Sequence, residues 1–341
     1  MSADWLLIET LGDEPMVIAV GSRLRKATPL RRFLNSGARV HAICAAVDES
    51  ASAGQPMRIE WGKHVVQAIP VLMTDERVHG VQVWAGSGVK PAPPRPRIGA
   101  VVWNLTTRVA ADTRSALLNA GLDPAVEPTH GRFFAADLPV GELHPNEIHV
   151  LTLALRSSPG DTISDTWNLT TRMGNPITVS FFSRVVVEED ASGESNILCR
   201  AMNWRESRKV AYQYDQHLAD RILRGMTDPS VYRVLVDLDT WGLLKWIDAP
   251  CPLFDWRGMN PHLPLLHPDD RPIREAMARE FDSGPASGIL RMRSSSGWTL
   301  IHVTIYRIEL EHGVMVGLLS LRVPTDAEVV EASYRISSSA S

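Results

Sequence analysis

Leu266-His267-Pro268-Asp269-Asp270-Arg271-Pro272 has a counterpart earlier in the chain, Leu143-His144-Pro145, 123 residues before it. The same offset lays Gly174 on Gly297 and Arg184 on Arg307. Three features in one ungapped register mark an internal duplication, and a duplication of this length reads as two copies of one fold.

Each copy reads in the same order. A strand comes first, Ala100 to Leu105 in one copy and Val234 to Leu238 in the other. Short irregular helices, the His-Pro turn and a further helix follow. In the last copy that helix carries Ile273, Met277 and Phe281 on one face. Asp269 and Asp270 stand at its start, where carboxylates satisfy free amides and oppose the helix dipole. Three strands complete each copy. In the last they span Gly288 to Arg293, Trp298 to Leu310 and Val314 to Arg322, with turns at 294–297 and 311–313. The first copy places its matching turns at 172–175 and 188–193. One detail does not align. Ile301, Val303 and Ile305 are the aliphatic face of the last long strand, whereas its counterpart has Ile177, Val179 and Phe181, one residue out of step with the offset. Either the register slips by one residue, which reverses the faces, or both faces of the earlier strand are partly buried.

Upstream, two Val/Ile-rich runs, His64 to Met73 and Arg77 to Trp84, flank the polar turn Thr74-Asp75-Glu76 and predict an antiparallel hairpin. Thr28-Pro29 opens a predicted helix through Leu34, and Arg39 to Val47 predicts another. The run 90–97 holds four prolines in six positions, a semi-rigid linker by composition. Val210, Tyr214, Leu218 and Ile222 recur every four residues and predict a connecting helix over 206–224, closed by Gly225. The division that results is 1–90, a linker at 91–97, 98–205, a connector at 206–227, 228–324, and a polar tail at 325–341.

The order of strand, short helices, His-Pro-Asp-Asp turn, helix and three antiparallel strands resembles the PAS domain over the last copy. Ser283-Gly284, Arg291-Met292-Arg293 and Gly297-Trp298 add to the match. The middle copy resembles it too, with Asn146-Glu147 in place of the paired aspartates. The hairpin from Val65 through Trp84 resembles the end of a GAF-type domain. The expected class is therefore α+β, a GAF-like domain followed by two PAS-like domains, each a curved antiparallel sheet with flanking helices. The whole order, with no fused output domain, resembles a family of three-domain actinobacterial, chiefly mycobacterial, proteins. The resemblance implies sensing or protein docking, with any signal leaving through a separate output protein.

Composition agrees with a globular chain: 341 residues, 44% hydrophobic and 22% charged, net charge −4. Basic residues are scattered, so no nucleic-acid surface is predicted. No apolar run approaches the ~20 residues of a membrane span. The start, Met1-Ser2-Ala3-Asp4-Trp5, lacks signal-peptide features, and Cys44, Cys199 and Cys251 stand apart, so a reduced, cytoplasmic chain is expected.

No hydrolase elbow, zinc helix, dinucleotide loop or CxxC pair occurs. His262 and His267 with Asp269 and Asp270 offer metal-ligand types, but in a proline-bounded turn with structural work of its own. Asp237 and Asp239 share a strand face and read as a polar strand edge. Trp-Asn-Leu-Thr-Thr-Arg occurs at 103–108 and again at 167–172, which reads as two strands in similar sheet environments. Cys199 lacks the context of a flavin-reactive cysteine, and Cys44 that of a bilin attachment site. The sequence predicts no cofactor and no metal, although eleven histidines leave a haem ligand open. The expected activity is non-enzymatic: a sensor or scaffold binding a small ligand, a partner protein or both, with a homodimer as one arrangement. An enzyme with a site assembled between domains is the rival reading. The candidate docking face is Trp298, Leu300, His302, Thr304 and Tyr306, a mixed aromatic and polar face opposite the aliphatic one, which suits a contact that is apolar at its centre and wet at its rim.

Overall fold

Three antiparallel sheets carry most of the described chain in the structure, a computed structural model. Described are residues 4–34, 38–89, 91–136, 138, 147–171, 173–207, 225, 228–254, 256, 265–280 and 284–330. The His-Pro turn at 143–145, His262, Arg172, Phe281, residues 208–224 of the expected connecting helix and the end of the tail lie outside them.

The first sheet contains β1 (Leu6–Glu9), β2 (Met16–Val20), β3 (Arg23–Pro29), β4 (Met57–Trp61), β5 (His64–Leu72) and β6 (Val78–Ser87), in the order β3-β2-β1-β6-β5-β4. The expected hairpin is β5 paired antiparallel with β6. The helix expected from Thr28 begins later. Thr28 pairs with Val17 and Pro29 with Met16 as the end of β3, so α1 is Leu30–Leu34. The second helix, α2, runs Ala38–Ala53. Val66, Ala68, Val81 and Val83, alternate residues of neighbouring strands, pack on Ile43 and Val47 of α2.

The second sheet is built from β7 (Ile98–Asn104), β8 (Val109–Asp112) and, after a two-residue β9 (Arg132–Phe133), β10 (Thr162–Thr170), β11 (Pro176–Glu189) and β12 (Ser195–Arg205). Its strands run β10-β11-β12-β7-β8. α3 (Arg114–Asn119) covers one side, N-capped by Thr113. On the other side Phe182, Met202 and Trp204 share a core with Leu7 and Ile18 of the first sheet and with Met73, just past the end of β5. Two polar links cross the same seam. Arg184 is bidentate to Glu9, and Arg200 reaches His79 and Asp75.

The third sheet comprises β13 (Tyr232–Asp237), β14 (Leu243–Trp246), β15 (Ala286–Ser294), β16 (Gly297–Glu309) and β17 (Met315–Arg322), in the order β14-β13-β17-β16-β15. Two more helices among the described residues are α4 (Glu147–Leu155) and α5 (Arg271–Glu280). Packing sorts the described residues into two compact units. The first falls within 1–106, 110–130 and 157–212, and the second within 107–109, 131–156 and 213–341. The first therefore holds the first sheet and, of the second, β7, β10, β11, β12 and residues 110–112 of β8. The linker 91–97 is pinned within it: the carbonyls of Pro93, Pro96 and Arg97 accept from Trp5, Gln82 and Asn119.

Both readings of the misaligned long strand hold. Five residues, 171–175, join β10 to β11, whereas two, 295–296, join β15 to β16. The difference is odd and side chains alternate with period two, so one offset cannot keep both strands of the hairpin in face. Matching inward Val179 and Phe181 to inward Ile301 and Val303 takes an offset of 122. The opposite face of β11, Thr178, Ser180 and Phe182, is buried as well.

Candidate functional site

From Leu300 to Tyr306, β16 alternates its side chains between two environments. Ile301, Val303 and Ile305 face inward, packed with Leu290, Leu319 and Leu321. The alternate residues form the predicted docking face. Trp298, Leu300 and Tyr306 are 37%, 39% and 43% exposed. His302 and Thr304 are half-buried between them. The apolar residues stand at the ends of the row and the polar ones at its middle.

The ends are built differently. At the Trp298 end, the Arg293 guanidinium lies 4.6 Å above the indole and the His267 ring meets it edge-on at 4.7 Å. His267 is placed by the His-Pro-Asp-Asp turn. Its amide donates to Arg291 O, and its Nδ1 accepts from the Asp269 amide at 3.2 Å. Asp270, buried, takes the Arg291 amide at 2.6 Å and that residue's Nη2 at 2.6 Å. The turn thus spends its polar groups tying the start of α5 to β15 and setting an imidazole against Trp298. In the middle of the row, Thr304 Oγ1 and Ser287 Oγ lie 2.9 Å apart. His302 faces Glu328 at 3.5 Å. Burial, then the Arg322 charge, push the His302 pKa down against the pull of Glu328. Glu328 belongs to a helical turn at 326–330, where a polar tail was expected. Thr325 and Glu328 close its start reciprocally: the Thr325 amide donates to Oε2 at 2.8 Å and the Glu328 amide to Thr325 Oγ1 at 3.4 Å. Two hydrogen bonds from Arg322 hold the Glu328 carboxyl well below the usual range.

On the inner side, Thr299 and the turn Ser294-Ser295-Ser296 face residues 250–254 and Trp256 across a groove of about 580 Å³. Pro250, Pro252, Phe254 and Trp256 form its apolar wall. Phe254 and Trp256 rest on Trp246, with ring centroids 6.2 and 5.5 Å away. Trp246 is 1% exposed, and its Nε1 has no hydrogen-bond partner among the described residues. Burial pushes the Cys251 thiol in the same groove up to about 11, so it stays protonated and a poor nucleophile at neutral pH.

Other sequence candidates take different places. Asp237 is no strand-edge residue. It is buried, ion-paired with Arg108 at 2.7 Å, and its Oδ1 accepts from the Asp239 amide across the turn that follows β13. The repeated hexapeptide has two conformations. At 167–170 it is strand. At 103–108 it leaves the sheet after Asn104, whose Oδ1 takes the Thr106 amide, and Arg108 has φ +61°. Cys199 is wholly buried in β12, and burial raises its pKa to about 12. Among the described residues there is no cluster of three His, Cys, Asp or Glu able to hold a metal, and no helix long and apolar enough to cross a membrane. Two buried polar clusters carry no local sequence signal: Lys245 with Glu147 at 2.6 Å, and His79 with Arg200 at 3.0 Å. Their partners are 98 and 121 residues apart.

Comparison with known proteins supplies the lineage. Residues 4–94 match the domain described as Rv3651-like, N-terminal, residues 97–206 the Rv3651-like middle domain, and residues 216–332 the Rv3651-like C-terminal domain. The chain belongs to the Rv3651-like family. A crystal structure of an uncharacterised protein from Mycobacterium tuberculosis is 43% identical, with a TM-score of 0.90 over 97% of this chain and 99% of that one. The three-domain actinobacterial resemblance read from the sequence is thus the family itself. Two sensory proteins share far less. A sensory box histidine kinase/response regulator from Burkholderia thailandensis is 17% identical over 38% of this chain and 87% of its own, with a TM-score of 0.21. An RNA-binding light-oxygen-voltage receptor is 11% identical over 71% and 99%, with a TM-score of 0.25. At those scores neither bears on fold or function. Among curated proteins there is no match.

Proposed function

We propose that this Rv3651-like chain is a cytoplasmic, non-enzymatic sensory or scaffold protein, a GAF-like module followed by two PAS-like modules, that binds a small ligand and docks a separate output protein on the open face of β16. The observation that carries this reading is the exposure of Trp298, Leu300 and Tyr306 on one side of an otherwise well-packed sheet. Large aromatic and aliphatic side chains left in water on a regular strand are a cost that a binding partner removes. Trp298 is also held in place by His267 and Arg293, so little side-chain freedom is lost when it is covered. The groups lining the inner groove are rings, hydroxyls and a protonated thiol, which suit binding rather than acid–base chemistry.

The test is photocrosslinking in cells that make the protein. A benzophenone side chain at Leu300 is expected to give one discrete adduct, lost when Trp298→Ala is added, while the same group at exposed Val187 in the first unit gives none. An adduct of twice the chain's mass identifies the partner as a second copy. No discrete adduct at Leu300, or one that Trp298→Ala leaves intact, overturns the docking reading.

A further inference from the structure

We propose that the basic run from Arg23 to Arg32, where β3 passes into α1, is a docking surface for an acidic protein segment whose carboxylates are spread along its length. This goes beyond the reading above. The surface belongs to the first sheet, not to the open face of β16, and its test is independent of the Leu300 crosslink.

Charge comes first. Basic residues are dispersed over most of the chain, but from Met16 to Val47 there are six Lys and Arg residues and no Asp or Glu, although the net charge is −4. The last of the six, Arg39, donates to the Ala85 carbonyl. The other five fall within 23–32, and Arg23, Arg25, Lys26, Arg31 and Arg32 are all exposed. None of these five side chains makes a hydrogen bond or an ion pair among the described residues. Like charges gathered in this way repel one another, and an anionic partner removes that cost.

A bulge presents these charges. Ala19 pairs with Leu24 and Val17 with Thr28, so Arg25, Lys26 and Ala27 stand opposite Ile18 alone. Regular alternation would turn one of Arg25 and Lys26 inward. The bulge leaves both in water, while Leu24 and Ala27 pack against the core shared with the second sheet. β3 is an edge strand, where charges commonly keep other strands away. Here the edge is already engaged: the Leu24 amide donates to Glu206 at 3.2 Å, and Thr28 Oγ1 to the Lys26 carbonyl at 2.9 Å. The side chains are what is left to recognise a partner. Four of the five are Arg, whose planar fork fits a carboxylate bidentately. They are strung along strand and helix rather than converging, which suits several carboxylates in series better than one phosphate. Size disfavours a nucleic-acid duplex or a bilayer. β3 has seven residues, at most about 23 Å, and a longer polyanion runs past it onto a chain that is net acidic. No exposed Phe, Trp or Tyr within 23–34 offers a base a stacking platform.

The experiment uses the full chain and four probes: a fluorescent peptide of alternating Glu and Ser, the same peptide with Gln for Glu, a fluorescent DNA duplex, and vesicles containing phosphatidylserine. Anisotropy, and co-sedimentation for the vesicles, should show the Glu peptide binding and the Gln peptide at least about tenfold weaker, with added salt weakening the Glu complex. Arg25→Glu with Lys26→Glu should weaken the Glu peptide at least about tenfold. Arg31→Gln with Arg32→Gln should weaken it too, without reversing a charge. Arg114→Glu with Arg279→Glu, at exposed positions outside the run, shifts the net charge as far as the first pair does and should leave binding within about twofold. Unchanged circular dichroism confirms that each variant is folded. The assignment is overturned if the Glu peptide shows no binding at about 1 mM, if the duplex or the vesicles bind as tightly, or if either pair within the run loses no more affinity than the Arg114, Arg279 pair.

Discussion

Lys245 donates to Glu147 at 2.6 Å, and both side chains are sealed from water. Lys245 pairs with Leu235 in the third sheet, and Glu147 opens α4. Two charges taken out of water in this way hold each other, and the cost appears when one is removed. Lys245→Met is expected to destabilise the second unit by about 3–5 kcal/mol, and the Lys245→Met, Glu147→Leu pair to recover most of that. Urea unfolding followed in the near ultraviolet measures both. A loss under about 1 kcal/mol for the single variant would show that the carboxylate finds water or another cation.

His79 should make the first unit sensitive to acid. Arg200 Nη1 sits 3.0 Å from its Nε2 and can only donate, so Nε2 accepts and Nδ1 carries the proton toward Ala201 O at 3.0 Å. Burial drops the His79 pKa from 6.5 to about 4, against the pull of the Ala201 carbonyl. Between those values the unfolded chain binds a proton that the fold refuses. Stability is therefore full above about pH 6.5 and falls as the pH drops toward 4, by up to roughly 3 kcal/mol. Denaturation midpoints from pH 7 to pH 4 test this. His79→Gln, which does not titrate, should flatten that part of the profile.

Gly99→Ala should be among the most damaging single-methyl changes. A Cβ there would stand 2.2 Å from the Ala116 backbone nitrogen, because α3 lies directly on β7. The helix cannot retreat easily: Asn119 donates to Asn203 O, and Arg205 Nε to Asn119 O at 3.0 Å. A loss of about 3 kcal/mol or more is expected in thermal melts. Ala116→Gly should fail to rescue it, since the obstructing atoms are main chain.

Trp298→Ala distinguishes a docking residue from a core one. The exposed ring contributes a cation–π contact with Arg293 and an edge contact with His267, so the fold should lose only about 1 kcal/mol. A partner or self-association contact centred on it should lose about 2 kcal/mol or more. Melting beside sedimentation separates the two. Outright unfolding would return Trp298 to the core.

Hairpins and faces were readable because their signal is local. Period-two alternation through Ile301, Val303 and Ile305 predicts an inward face, and it is buried; Ser294 to Gly297 predicts a turn, and it is one. What escaped depends on distant chain. Nothing near Asp237 announces Arg108, 129 residues away. Nothing in Trp-Asn-Leu-Thr-Thr-Arg says which copy will bend, since the bend at 104–108 is completed by Asn196 and Ile197 of β12, with Asn104 Nδ2 on Asn196 Oδ1 and the Ile197 amide on Thr106 Oγ1. The groove was unreadable for the same reason. Its walls come from residues some forty positions apart, and no spacing rule joins a Pro-Cys-Pro-Leu-Phe run to a serine turn.

Trp298 and Thr299 are neighbours on β16, one on the open face and one in the groove. A strand cannot rotate one of these side chains out of place without turning the other, because consecutive residues share a single pleat. An occupant of the groove and an occupant of the face would thus act on one rigid element from opposite sides. If the first changes the second's affinity by some factor, the second must change the first's by the same factor, since the two orders of binding reach one final complex. The hairpin would then be a two-way balance, in which the concentration of an output protein sets how tightly a small molecule is retained.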